Sequence, residues 1–390
     1  MAERDTADYE GSEVIAIASG KKAFARSPWL FNRVAGRKGF FAELRRNDAV
    51  HPRWYSVHVV DGVGTKLFFA PWSGDYSSQM MDGIEMNAND MATVIHAYPS
   101  EVNIYLACQT GVEENHMGEI ADGIRRGLER IRIPNAPFDL NLGKLETASL
   151  DEMIALGVKG KGFDVGFSMT GYIPKDKVPK FNPRPGFQIV GVSSTGLHSN
   201  GYTGARHVIF APGPEIEYRD EWRDQYKGKW HLQDKPEILR GKTIMEAMMV
   251  PTASYLVEAS LIGTEFDNRD IYGVNITGNG IHNFNRAGEG IIFNIIDPLE
   301  PLPIHRFLMQ ESGWDTETAH TKQNIGMGFA YIVPNLKIAE RIVKLINQRG
   351  QNKAQRVGEV TEAPKSQKGL VTILHNTPEG VPISFEGYSN

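Results

Sequence analysis

The stretch Val59-Val60-Asp61-Gly62-Val63-Gly64-Thr65-Lys66 constrains this chain most, because an apolar strand runs there straight into an acid, two glycines, a hydroxyl and an amine. Glycine permits φ > 0 and close approach of backbone to an anion, Asp61 can hold a divalent cation, and Lys66 can balance phosphate charge. An ordinary polar loop after a strand uses the same residue types, so the remaining motifs must decide between the two.

At 390 residues the chain exceeds one typical core, and two domains are expected. Hydrophobic residues at 41% and charged residues at 23% place it among globular proteins. A formal net charge of -5 offers no field for nucleic acid or an anionic membrane. The start, Met1-Ala2-Glu3-Arg4-Asp5, lacks the pattern of a secretory signal, and no apolar run reaches the ~18 residues of a membrane helix. Cys108 is the only cysteine, so an intrachain disulfide and a thiolate zinc cluster are excluded. A cytoplasmic enzyme is expected.

Strand-like and helix-like segments alternate. Residues 55–60, 103–108 and 163–173 read as strands from their β-branched and aromatic content. Between the first two, Met81, Ile84, Ala88, Met91, Ala92 and Ile95 follow helical spacing as a buried stripe. Asp82, Asn89, Asp90 and Thr93 share the opposite sector and face either water or a ligand. A second helix is expected over 117–131. The proline- and lysine-rich residues 174–185 break regular structure and place a domain boundary near 175. Beyond it, strands are expected at 187–194, 272–276, 291–296, 329–333 and 369–374. Helices are expected at 304–310, 336–347 and 251–262, the last with Pro251 in its first turn. Residues 215–235, aromatic and charged without a period, read as a surface insertion.

Several motifs are absent. No glycine stands at the distance upstream of Lys66 that a P-loop needs, and each Gly-x-Gly lacks the third glycine of a dinucleotide fingerprint. The residues around Ser193 do not make Gly-x-Ser-x-Gly. More telling is Ser194-Thr195-Gly196-Leu197-His198-Ser199-Asn200-Gly201-Tyr202, a dense run of hydrogen-bonding groups after a strand, which suits a polar ligand; a capped turn explains its Ser and Gly but leaves His198 without a task. Thr277-Gly278-Asn279-Gly280 again follows a strand and suits either an anion or a tight turn. Asn324-Ile325-Gly326-Met327-Gly328 leads into another strand with room for close backbone approach.

Taken in order, the Asp61–Lys66 motif, Asn89-Asp90, Glu146-Thr147-Ala148, the run around His198, Pro251-Thr252, Thr277-Gly278-x-Gly280 and Asn324-x-Gly-x-Gly resemble the aminoimidazole ribonucleotide synthetase family, also called phosphoribosylformylglycinamidine cyclo-ligase. Gly39-Phe40-Phe41-Ala42 is similar to the family's glycine-rich amino-terminal segment. The resemblance implies an α/β (α+β) chain with an ATP-binding and dimerisation domain, residues 1–174, whose mixed sheet forms a homodimer core. An α/β sandwich, residues 175–390, would complete the substrate site. It implies ATP and Mg²⁺ as cofactors and a small ribonucleotide as substrate, cyclised with release of ADP and phosphate in purine synthesis.

By the same resemblance Asp61, Gly62, Gly64, Thr65, Lys66, Asn89, Asp90, Glu146 and Thr147 surround the nucleotide, with Asp61, Asp90 and Glu146 on the metal. Ser194, His198, Ser199, Asn200, Thr277, Gly278, Gly280 and Asn324 meet the substrate. His198, Lys66 and Asp90 carry catalysis, His198 either stabilising an oxyanion or moving a proton. The chain departs from the family where Lys144-Leu145 replaces two glycines before Glu146 and where Asn279 replaces a glycine. Alternatives are another ATP-using member of the superfamily, a small-molecule kinase or dehydratase, or a noncatalytic nucleotide-binding paralogue.

Overall fold

The computed structural model describes residues 41–46, 51–286, 288, 290–365 and 371–386. Gly39 and Phe40, and residues 369–370 of the strand expected at 369–374, lie outside them. Twelve strands form two mixed sheets among these residues. The first holds β1 (Glu43–Arg46), β2 (Trp54–Gly62), β3 (Tyr98–Cys108), β4 (Asn141–Ser149) and β5 (Phe163–Pro174) in the order β1-β2-β5-β3-β4. Only β3 and β4 run parallel. The second holds β6 (Gln188–Ser193), β7 (Tyr272–Asn275), β8 (Ile291–Ile295), β9 (Met327–Val333), β10 (Ala354–Glu362), β11 (Val371–Leu374) and β12 (Ile383–Glu386) in the order β12-β11-β8-β10-β6-β9-β7. Here the one parallel pair is β8 with β11. The α/β class expected from the sequence is the one observed.

Period-two alternation sets the faces of the first sheet. Phe163, Val165, Phe167, Met169 and Ile173 of β5 point inward with Val57 and Val59 of β2 and Val102, Ile104 and Leu106 of β3. Helices α1 (Ser77–Ala92) and α2 (Thr110–Arg130) cover that face. On the other face Val60 is 77% and Tyr105 49% exposed, uncovered among the described residues. The helices of the second half include α3 (Tyr202–Ile209), α4 (Leu256–Glu265), α5 (Pro303–Ser312), α6 (Thr316–Lys322) and α7 (Leu336–Arg349). No helix among the described residues is long and apolar enough to cross a membrane.

Helix α1 is buried nearly all round, which corrects the choice between water and ligand for its polar sector. Asp82, Asn89 and Thr93 are buried and bond to protein. The helix expected at 251–262 begins only at Leu256, because side chains of α1 take up the backbone before it. Asp82 accepts from the Thr252 N–H at 2.7 Å, Asn89 donates to the Ala253 carbonyl at 2.8 Å, and Asn89 accepts from the Tyr255 N–H at 2.8 Å. Helix α2 starts earlier than its apolar stripe suggested, since Asp151 accepts from the Thr110 N–H and hydroxyl and caps a polar first turn. Residues 215–235 are not wholly a surface insertion. Ile216 and Tyr226 are buried with Phe69 and Tyr202, and Gly228 lies flat on the backbone of Ile209.

Gly83 tests how tightly α1 sits on its sheet. Alanine would raise helix propensity there by ~1 kcal/mol, yet its Cβ would fall 1.9 Å from the Phe167 ring. Gly83→Ala is therefore expected to destabilise the chain by about 2 kcal/mol or more in denaturant unfolding, and a neutral or stabilising result would contradict this packing.

Candidate functional site

Strand β2 delivers Asp61 and Gly62 to the floor of a cleft of about 450 Å³, and Gly64, at φ +68°, turns the chain into the 3₁₀ segment Gly64–Phe68. Only a residue at ease in the left-handed region fits that turn. Thr65 lines the cleft and its hydroxyl meets that of Thr203 at 2.9 Å. Ser199, Asn200 and Gly201 form the facing wall, and Thr277 and Gly278 close one end. Three motifs distant in sequence thus meet in one cavity.

Asp90 stands behind Asp61. Burial, opposed by the amide of Asn275 that donates to it at 2.8 Å and aided by the Asp61 carboxylate, raises its pKa to about 7. Such a pair of oxygen donors suits a hard cation. Among the described residues no group of three metal-ligating side chains occurs, so any magnesium here would rely on these carboxylates with phosphate and water oxygens.

Other expected site residues lie elsewhere. Lys66 is fully buried: its Nζ contacts Asp82 at 2.8 Å and donates to the Val250 carbonyl at 2.9 Å, so it does not reach the cleft. Burial lowers its pKa, an effect the Asp82 carboxylate opposes. In a 3₁₀ turn neighbouring side chains diverge widely, which sends Thr65 outward and Lys66 inward. His198, at φ +59°, is also buried; its Nε2 faces the Thr195 N–H at 3.4 Å, and burial holds its pKa at about 3. Burial favours its neutral form, and its neighbours Ser199 and Asn200, rather than His198 itself, line the cleft.

Asn89, as described above, spends its amide on residues 253 and 255. Asn324 is likewise committed, donating to the Gly196 carbonyl at 2.9 Å and accepting from the Gly326 N–H at 3.0 Å. Ser194 is buried off the cleft, and the backbone at Gly280 packs on the His320 carbonyl. Glu146 projects from the outer face of the first sheet, opposite Tyr105, and pairs with Lys144 at 2.7 Å. Thr147 follows it in register with Leu106. Glu146 therefore does not join Asp61 and Asp90 on a metal within one chain.

Trp314 and Lys322 are among the cleft residues that escaped sequence reading, with Met86, Thr203 and Gly204. Asp315 caps α6 by accepting from the Thr318 N–H at 2.8 Å. That acid before Thr316-Glu317-Thr318 is a helix-start signal, and it would have placed Lys322 at the helix end.

No family model matches the chain. Among solved structures, that of the HypE–HypF complex superposes with a TM-score of 0.56 at 14% identity, covering 94% of this chain and 99% of that one. The structure of T. maritima PurL complexed with ADP gives 0.51 at 12% identity, covering 91% of this chain and 46% of that one. The architecture is thus that of HypE and PurL, an α/β fold with a polar cleft at the end of its first sheet. Relatives at higher identity narrow this. The phosphoribosylformylglycinamidine cyclo-ligase of Methanosarcina mazei is 31% identical over 315 residues, 80% of this chain and 82% of that protein. The enzyme of the same name from Methanococcus maripaludis is 29% identical over 341 residues, 87% of this chain and 86% of that protein. The chain belongs to the phosphoribosylformylglycinamidine cyclo-ligase family, a family of enzymes.

Two outcomes follow from the geometry. Between about pH 4 and pH 7 native Asp90 keeps a proton that the unfolded chain releases, so it lowers stability as pH rises through that window. Asp90→Asn should then be more stable than the parent by roughly 1–2 kcal/mol at pH 7.5 and equal to it near pH 4 without divalent cations; a pH-independent difference in unfolding midpoint would refute this. Lys66→Met should destabilise by ~3–5 kcal/mol because it strands Asp82 in the interior, and adding Asp82→Asn should restore much of the loss. A raised KM with an unchanged midpoint would instead return Lys66 to the ligand.

Proposed function

We propose that this chain cyclises formylglycinamidine ribonucleotide to aminoimidazole ribonucleotide with ATP, releasing ADP and phosphate. The formyl oxygen takes the γ-phosphoryl group of ATP, the internal amidine nitrogen attacks the activated carbon, and the C–O bond breaks as phosphate leaves. One observation carries the reading: in a member of the cyclo-ligase family, the Asp61–Thr65 segment, Ser199–Asn200 and Thr277–Gly278 converge on one cleft whose volume is that of a small-molecule site.

The division of labour is physical. A ligand held there has hydroxyls from Thr65, Ser199 and Thr277 and the glycine backbone at Gly62 and Gly278 around it, donors suited to phosphate oxygens. Magnesium, held by Asp61 with Asp90, would screen phosphate charge. Placing nucleophile and activated carbon in one bound molecule supplies much of the proximity advantage. His198 serves by shaping the turn that presents Ser199 and Asn200. Structures of the same fold, HypE in complex with ATP and AaThiL complexed with AMPPCP and TMP, support a nucleotide in this fold.

We place the domain division near residue 175, between β5 and β6, and the protein in the cytoplasm. We further infer a homodimer through the outer face of the first sheet, where Val60 and Tyr105 are exposed beside Lys144 and Glu146. Val60→Glu should shift sedimentation from dimer to monomer with the fold intact; an unchanged mass would remove this interface.

The decisive assay follows ADP release from purified chain with ATP, magnesium and formylglycinamidine ribonucleotide. Release that requires the ribonucleotide is expected. ATP binding without turnover would favour a noncatalytic paralogue, a reading that the diversion of Glu146 to Lys144 supports.

A further inference from the structure

We propose that Lys322, steadied over Trp314, is the cation that meets a phosphate group of the ligand in this cleft, the task that the family resemblance assigns to Lys66. The inference rests on the cyclo-ligase reading for the ligand's identity, but its geometry is independent. Lys66 is spent on Asp82 and the Val250 carbonyl. Of the residues lining the cleft, Lys322 is the one that carries positive charge, and Asp61 the one that carries negative charge.

The Lys322 ammonium lies 5.5 Å from the centre of the Trp314 ring. No carboxylate pairs with it among the described residues. An aromatic face orients an ammonium without neutralising it, so the charge stays available to a ligand. Trp314 is itself braced, packed against the buried cluster that includes Tyr202, Ala205 and Phe307. The adjoining Gln323 donates to the Asn200 carbonyl at 3.3 Å and ties the end of α6 to the Ser199–Asn200 wall. Lys322 therefore shares one cleft with Ser199, Thr203, Gly62, Gly201 and Gly278, a set of groups suited to a phosphate. The anion recognised is a phosphate ester, supplied either by the ribonucleotide's 5′ end or by the polyphosphate of ATP. Trp314 is a positioning residue in this scheme.

The test is calorimetric titration of the full chain with two probes, ribose 5-phosphate and the nonhydrolysable adenosine 5′-(β,γ-imido)triphosphate, at two salt concentrations. Lys322→Ala should weaken one probe by about tenfold or more and flatten its salt dependence, while Lys322→Arg keeps most of the affinity. The probe that is lost identifies the source of the phosphate. Trp314→Leu should weaken the same probe by a smaller factor, and Trp314→Phe should recover it. Thermal midpoints of all four variants should match the parent. Two results overturn the inference: both probes within about twofold of the parent in Lys322→Ala, or an equal loss of both with a lowered midpoint. Lys322-dependent binding in a chain that releases no ADP with formylglycinamidine ribonucleotide sinks the cyclo-ligase reading alone. Turnover with unmoved KM values in Lys322→Ala sinks the subsite alone.

Discussion

The buried ion pair between Lys66 and Asp82 underlies the rest of the structure. Asp82 holds Lys66 with one oxygen and accepts from both the backbone and the hydroxyl of Thr252 with the other, and the Thr252 hydroxyl lies 3.3 Å from that of Ser199. A continuous polar chain thus runs from the end of β2, through α1, to the wall of the cleft. An ion pair stripped of water adds little net stability against apolar residues of the same shape, but losing one member is severe. Its value here lies in direction: it fixes which loop of the second half faces which turn of the first. Asn89 repeats the device two helical turns on, with bonds to Ala253 and Tyr255, and Asn275 reaches Asp90 from β7.

Motif residues consequently divide into those that face the ligand and those that hold the facing ones still. Thr65 and Lys66 are adjacent and belong to opposite groups, as do Ser199 and His198. The same density of hydroxyls, amides and charge serves both purposes, because buried polar groups need partners as urgently as a phosphate does. Family membership settles the class of reaction, whereas the distribution of partners settles which side chains are left over for it.

Much of the fold was legible. Strands announced by β-branched alternation, such as β2 and β5, and the apolar stripe of α1 needed only local periods. The Asp61, Ser199 and Thr277 segments were readable as three glycine- and hydroxyl-rich turns after strands, and only the family resemblance joined them in one site. What stayed hidden was the meaning of α1's polar sector, since the partners of Asp82 and Asn89 lie 170 and 164 residues away. Local spacing shows that a side chain is polar and on one face, not what waits there. Glu146 stands away from the Asp61 cleft for a related reason: sheet order puts β4 at an edge beyond β3, and its register with exposed Tyr105 puts it on the outer face. Residues 215–235 lack a period because loops, not helices, seat Ile216 and Tyr226 in the interior.

The seating of Pro251–Tyr255 on α1 has a mechanical corollary. Separating the two sheets about the cleft would strip an ion pair and several amide–backbone bonds of their buried partners at once. The molecule is thereby denied a hinge at this seam. Its cavity is a rigid socket, and admission of a ligand falls to the short turns around its mouth.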